Sequence, residues 1–204
     1  MERVLPETEG KRPGSAANPS VTRKKREDSR AGEADGLLYA IAMIDPAARK
    51  RLARLRELAA PFGIPPRDLH GHITLAAYAG EDEGRFIASC KAVLARYGQF
   101  SVAYDKIELF ASTSAVVAAP RKEGPLDAIQ REITERWAAD LDQWTRRDVW
   151  RPHTTLAYHP TADLEAAAGA MRAEFAPFAA RVDRVEFSRE FENRYEIIDS
   201  IKLA

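Results

Sequence analysis

The sequence predicts an α+β fold of two pseudo-symmetric lobes. Each is a mainly antiparallel sheet with helices on its outer face, and a cleft lies between them. Three observations predict it. His-x-Thr-Leu occurs twice, at His72-Ile73-Thr74-Leu75 and His153-Thr154-Thr155-Leu156. Each copy follows a turn-like segment and opens a run of strand length. The order strand, helix, loop, His-x-Thr strand, helix, strand occurs around both copies, with Tyr39 standing 33 positions before His72 and Val116 standing 37 before His153. An internal duplication accounts for all three, because two related lobes can present the same strand face across a pseudo-twofold axis.

The elements follow in order. Residues 1–35 are poor in large apolar groups and rich in Gly, Pro, Ser and charge, so they cannot bury enough surface to offset ordering entropy and read as a disordered tail. Its basic run, Arg23-Lys24-Lys25-Arg26, reads as solvated. Residues 36–204 form the folded, two-lobed domain. A strand is expected at Leu38–Ile44, and Asp45-Pro46 supplies an N-cap and first-turn proline for a helix to about Ala60. Ala48, Leu52, Leu55 and Ala59 share that helix's inner face. The first His-x-Thr strand ends near Tyr78. A helix over about Glu83–Tyr97 buries Phe86, Cys90, Val93, Leu94 and Tyr97, and Gly98 closes it. Strands follow at Phe100–Phe110 and Ala115–Ala119. Gly124-Pro125 opens a helix turning Leu126, Ile129, Ile133 and Trp137 inward. An Arg- and Trp-rich loop leads to the second His-x-Thr strand. A helix at Leu164–Phe175 and strands near Arg181–Phe187 and Tyr195–Leu203 complete the chain.

Bulk properties exclude several function classes. The chain has 204 residues with 31 basic and 31 acidic side chains; the first 35 hold 8 and 7 of them, leaving 23 and 24. A near-neutral body does not suit tight, sequence-independent gripping of long nucleic acid, which needs many phosphate-neutralising groups. Short RNA ends and small nucleotides remain open. Cys90 is the one cysteine, which rules out an intrachain disulfide and a cysteine-based zinc site. No stretch has the length of a membrane span, and the first residues lack the apolar core of a signal peptide. A cytoplasmic monomer that does not engage a membrane is the expectation.

Side chains alternate along a strand, so His72 and Thr74 point one way and Ile73 and Leu75 the other, as do His153 and Thr155 against Thr154 and Leu156. Such a strand is half core and half chemistry. On average residue frequencies, two independent copies in a chain of this size are roughly a one-in-a-thousand coincidence. Imidazole serves as base or acid near neutral pH, and cleaving a phosphodiester needs one of each. The threonine hydroxyls, two residues on and on the same face, are donors for non-bridging phosphate oxygens. Neither a metal nor a Ser or Cys nucleophile is required.

On these residues the chain resembles the 2H phosphoesterase superfamily, which includes the bacterial 2′-5′ RNA ligase-like proteins. The resemblance spans about Leu37–Ala204 and is carried by the paired motif. It implies a bilobal α+β fold and metal-independent action on 2′,3′-cyclic phosphates or 2′-5′ linkages of RNA or small nucleotides. It also implies catalytic roles for His72, Thr74, His153 and Thr155. The leading expectation is a phosphodiesterase that opens cyclic phosphates at RNA ends or on nucleotides, without a cofactor. The alternatives are 2′-5′ ligation or cleavage by the same residues, and a non-catalytic module binding RNA ends or nucleotides.

Three further residues are substrate-binding candidates. Tyr39 on the first strand and Tyr158 beyond the second motif can stack on a base, and Arg151, two before His153, can reach phosphate. Tyr158 stands where some RNA ligase-like members carry a basic residue. His70, Gly71 and His72 have the look of a metal-binding pair with His159 as a third ligand. No further cluster at ligand spacing supports them, so His70 and His159 read as loop residues.

Overall fold

A computed structural model describes residues 36–66, 70–191 and 194–204. The expected disordered tail and its basic run lie outside the described residues. The described chain contains strands β1 (Leu38–Ile44), β2 (His72–Tyr78), β3 (Phe100–Phe110), β4 (Ala115–Pro120), β5 (Thr154–Tyr158), β6 (Phe178–Phe191) and β7 (Arg194–Lys202). Its α-helices are α1 (Pro46–Glu57), α2 (Glu83–Leu94), α3 (Gly124–Trp137) and α4 (Leu164–Glu174). Local chemistry sets the boundaries. The Asp45 side chain accepts from Ala48 N at 3.0 Å, capping α1 as expected. Gly71 turns the chain into β2 at φ +58, where a Cβ would stand 3.0 Å from Arg49 Cγ.

All strand pairs are antiparallel and form one sheet in the order β2-β1-β6-β3-β4-β5, with β7 also on β6. The two lobes are therefore halves of a single sheet, joined by β6. This long strand pairs β3 through residues 178–182, then β1 through 182–188 and β7 through 184–191. The halves also exchange strands. β3 follows the first half in sequence but pairs with β4 of the second, whereas β6 follows the second and pairs with β1 of the first.

One face of the sheet holds the core. Leu38, Ala40, Ala42 and Ile44 of β1, Val116 and Ala118 of β4, and Val185 and Phe187 of β6 pack there with Leu52, Phe86, Leu126 and Met171 from the helices. The opposite face carries Ile41 and Met43 of β1 and Val117 of β4, which are buried but outside that cluster.

Each His-x-Thr strand carries one extra residue at the same place. Thr74 pairs Ile41 and Ala76 pairs Ala40, so Leu75 is skipped; Thr155 pairs Val117 and Ala157 pairs Val116, so Leu156 is skipped. The bulge turns Leu75 and Ala76, and likewise Leu156 and Ala157, into the core. Alternation then resumes, with Ala77 and Tyr158 on the face of the motif histidines and threonines.

Candidate active site

The expected alternation holds at both motifs. His72 and Thr74 are half-exposed and Ile73 and Leu75 buried, while His153 and Thr155 are half-exposed and Thr154 and Leu156 buried. Each half reaches across to hold the other's motif. Thr154 Oγ1 donates to the His72 carbonyl at 2.9 Å, and the buried Tyr104 hydroxyl lies 2.6 Å from the same Oγ1. Trp150 Nε1 donates to the Thr74 carbonyl at 2.9 Å. The buried Arg56 of α1 donates to the Thr155 carbonyl through Nη2 and Nε, at 3.2 and 3.4 Å. The two motif strands are thus tied to one another, with both histidines and both threonines left partly exposed.

The two imidazoles have different surroundings. His153 Nδ1 lies 2.7 Å from the Arg151 carbonyl; a carbonyl only accepts, so this nitrogen carries the proton and Nε2 is the one free to accept in the neutral ring. The Phe110 ring meets His153 edge-on at 5.1 Å. His72 Nδ1 is buried without a hydrogen-bond partner among the described residues. Tyr195 of β7 packs edge-on against His72 at 5.5 Å and against His70 at 5.1 Å. Burial pushes His72 down to about 3, helped by positive charge on His153, His70 and Arg56. Burial also lowers His153 and the Arg151 charge adds to this, while the hydrogen bond to the Arg151 carbonyl and the Glu108 carboxylate oppose it.

The model of the 2′-5′ RNA ligase superfamily matches residues 44–193, which include both motifs. The chain belongs to this superfamily of 2H phosphoesterases. Solved structures with the same fold include TT0787 of Thermus thermophilus, at TM-score 0.59 and 18% identity over 82% of this chain and 97% of that one. They also include E. coli LigT complexed with 3′-AMP, at TM-score 0.58 and 16% identity over 83% and 98%. A comparison with curated protein sequences gives no match.

The other candidates of this 2H chain fall into two groups. Tyr39 lies on the motif face, two residues from Ile41 on a regular strand, and pairs Ala77. Tyr158 lies on that face in the second half, is 48% exposed and pairs Ala115. The inner-strand aromatic of one half therefore has its counterpart on the edge strand of the other. The Arg151 side chain is exposed, donates to Glu108 Oε2 at 3.0 Å and lies over Phe110, 4.5 Å from the ring centre. His159 Nδ1 accepts from Ala162 N at 2.9 Å and Thr161 N at 3.2 Å, so it braces the loop before α4. Among the described residues no group of three His, Cys, Asp or Glu side chains could hold a metal ion, and no helix is long and apolar enough to cross a membrane. Cys90 is buried in α2 and its thiol is pushed up to about 12, which makes it core.

Sequence reasoning missed Phe110, Glu108, Trp150, Arg56 and Tyr195. One signal was available. Asp105-Lys106-Ile107-Glu108-Leu109 and Asp183-Arg184-Val185-Glu186-Phe187 are a second internal repeat, on β3 and β6. Glu108 pairs Val117, which pairs Thr155; Glu186 pairs Ile41, which pairs Thr74. Each half therefore sets a carboxylate two strands in from its motif threonine.

Proposed function

We propose that this 2H phosphoesterase opens 2′,3′-cyclic phosphates at RNA ends or on small nucleotides by two-histidine acid–base catalysis. The observation that supports this reading is that the two His-x-Thr strands are tied side by side, Thr154 donating to the His72 carbonyl. Water attacks phosphorus, one ribose oxygen–phosphorus bond breaks, and a phosphate monoester and a free hydroxyl result. One imidazole takes the proton from water and the other protonates the departing oxygen. His153 takes the acid's part, since the Arg151 carbonyl and Glu108 both favour its charged form. His72, with its Nδ1 buried and positive groups around it, stays neutral and takes the base's part. Thr74 and Thr155 donate to the non-bridging oxygens. Tyr39 and Tyr158 offer faces for a base, and Arg151 contacts phosphate. That E. coli LigT has been crystallised with 3′-AMP and with ATP supports a nucleotide substrate.

A turnover panel tests this: 2′,3′-cyclic mononucleotides, cyclic-phosphate-ended RNA and 2′-5′ dinucleotides, each with and without chelator. Chelator-insensitive opening of the cyclic phosphates is expected. Turnover of 2′-5′ dinucleotides alone would transfer the same residues to 2′-5′ linkages, the reading the superfamily's name favours. Binding of all three without turnover would make the cleft a recognition site.

A further inference from the structure

A closed circuit of contacts surrounds His153 and, among the described residues, has no counterpart around His72. The Arg151 carbonyl accepts from His153 Nδ1 at 2.7 Å, and the Arg151 side chain folds back to Glu108 Oε2 at 3.0 Å. On the way its guanidinium lies over Phe110, whose ring packs edge-on against His153. The carbonyl that selects the tautomer and the ring that braces the imidazole are thus fixed by one side chain, and Glu108 anchors that side chain. Lys106 also reaches Glu108, at 2.9 Å. In the first half the corresponding carboxylate, Glu186, accepts from Arg184 Nε at 2.7 Å on its own strand, and His72 Nδ1 finds no carbonyl.

We infer that Glu108 is a positioning residue for His153, acting through Arg151 and Phe110, and that it breaks the twofold equivalence of the two motifs. A carboxylate that holds the arginine also places negative charge near the imidazole, favouring its protonated form. The charged groups around His153 are Glu108 and Lys106 from β3, Arg151 from its own loop and His72 from β2. The duplicated Glu186 is the built-in control, with the same residue type and sheet position but, among the described residues, an arginine partner on its own strand and no path through it to either imidazole. The inference rests on the acid–base reading above only for its effect on rate.

The test is NMR titration of the imidazoles in the full chain, with His153 assigned from the spectrum of His153→Ala, beside kcat/KM profiles for a cyclic mononucleotide. Glu108→Gln is expected to move the His153 titration to lower pH and leave His72 in place. It should also cost about three- to tenfold in kcat/KM near neutrality, a tenfold population change being one pH unit. Glu108→Asp keeps the charge and should restore most of the His153 titration. Glu186→Gln should leave His153 unmoved. Arg151→Gln, which keeps the carbonyl but removes the positive charge, should move it the opposite way and serves if Glu108→Gln fails to fold. An unmoved His153 in Glu108→Gln, or an equal shift in Glu186→Gln, overturns the inference. Because the titration needs no substrate, a chain inactive on cyclic phosphates still tests it.

Discussion

His72 and His153 share a motif but not their surroundings, and this difference has readable consequences. His72 ionises near 6.5 in the unfolded chain and is held down to about 3 in the fold. Between these values the unfolded chain binds a proton that the folded chain refuses, so stability present above about pH 6.5 is lost progressively as pH falls toward 3. A His72→Asn variant should lose less stability over that range in chemical denaturation at stepped pH; equal slopes would remove His72 from the account. His153 is lowered too, so the basic limb of kcat/KM, which reports free enzyme, should lie below the ordinary histidine range. A bound phosphate anion favours the imidazolium, so the corresponding limb of kcat should lie higher. Both limbs belong to the coupled pair rather than to either ring. His72→Ala or His153→Ala should cost on the order of 10² to 10⁴ in kcat, the reach of one acid–base group. The double variant should lose little more, because the two act as a unit. Thr74→Ala and Thr155→Ala should cost less, each hydroxyl being one donor among several.

At the scale of elements, the cross-half hydrogen bonds should separate stability from activity. The Asp45 carboxylate caps α1 through Ala48 N and also accepts from Arg181 N at 2.7 Å. Asp45→Ala should therefore cost about 1–2 kcal/mol of stability with turnover little changed, since its hydrogen bonds go to α1 and β6 and not to a motif residue. Trp150→Phe keeps an aromatic ring but deletes the donor to the Thr74 carbonyl and shrinks a buried side chain, which should cost about 1–3 kcal/mol and lower kcat as well. A kcat unaltered in Trp150→Phe would make that bond structural only. Much at this scale was legible in the sequence. The period of apolar residues located each strand and helix to within a few positions, as with β1 and α3, and alternation at the motifs told which side chains leave the core. The bulges were not legible, because Ala76, Ala77 and Ala157 suit either face and the partner strand decides. The ends of β6 were missed for a similar reason: Ala179-Ala180 and Arg189-Glu190 do not alternate. Glu108 gives no signal of its own, since Lys-x-Glu on a strand is what a wet face shows.

For the molecule as a whole, duplication was legible but the exchange of strands was not. Which strand a segment pairs with is decided by the fold's closure, and nothing in β3 or β6 taken alone names its neighbour. The exchange predicts that neither repeat is a folding unit. Fragments 36–112 and 113–204, made separately, should lack cooperative unfolding, because the first lacks β6 beside β1 and the second lacks β3 beside β4. Mixed, they should regain a folded signal in circular dichroism and, on the reading above, turnover. A sharp thermal transition in either fragment alone would count against this.

The same exchange dictates a timetable for synthesis. β1 leaves the ribosome long before β6, and one of its edges waits for residues 182–188. Until then, a strand later flanked on both sides shows a bare row of amide and carbonyl groups and an apolar face to the cell, a template for mispairing with other nascent chains. Folding that depends on so distant a partner is slow to close. Slower translation of the stretch from β4 to β6 should therefore lower the soluble yield of this protein, even though the fold that results is unchanged.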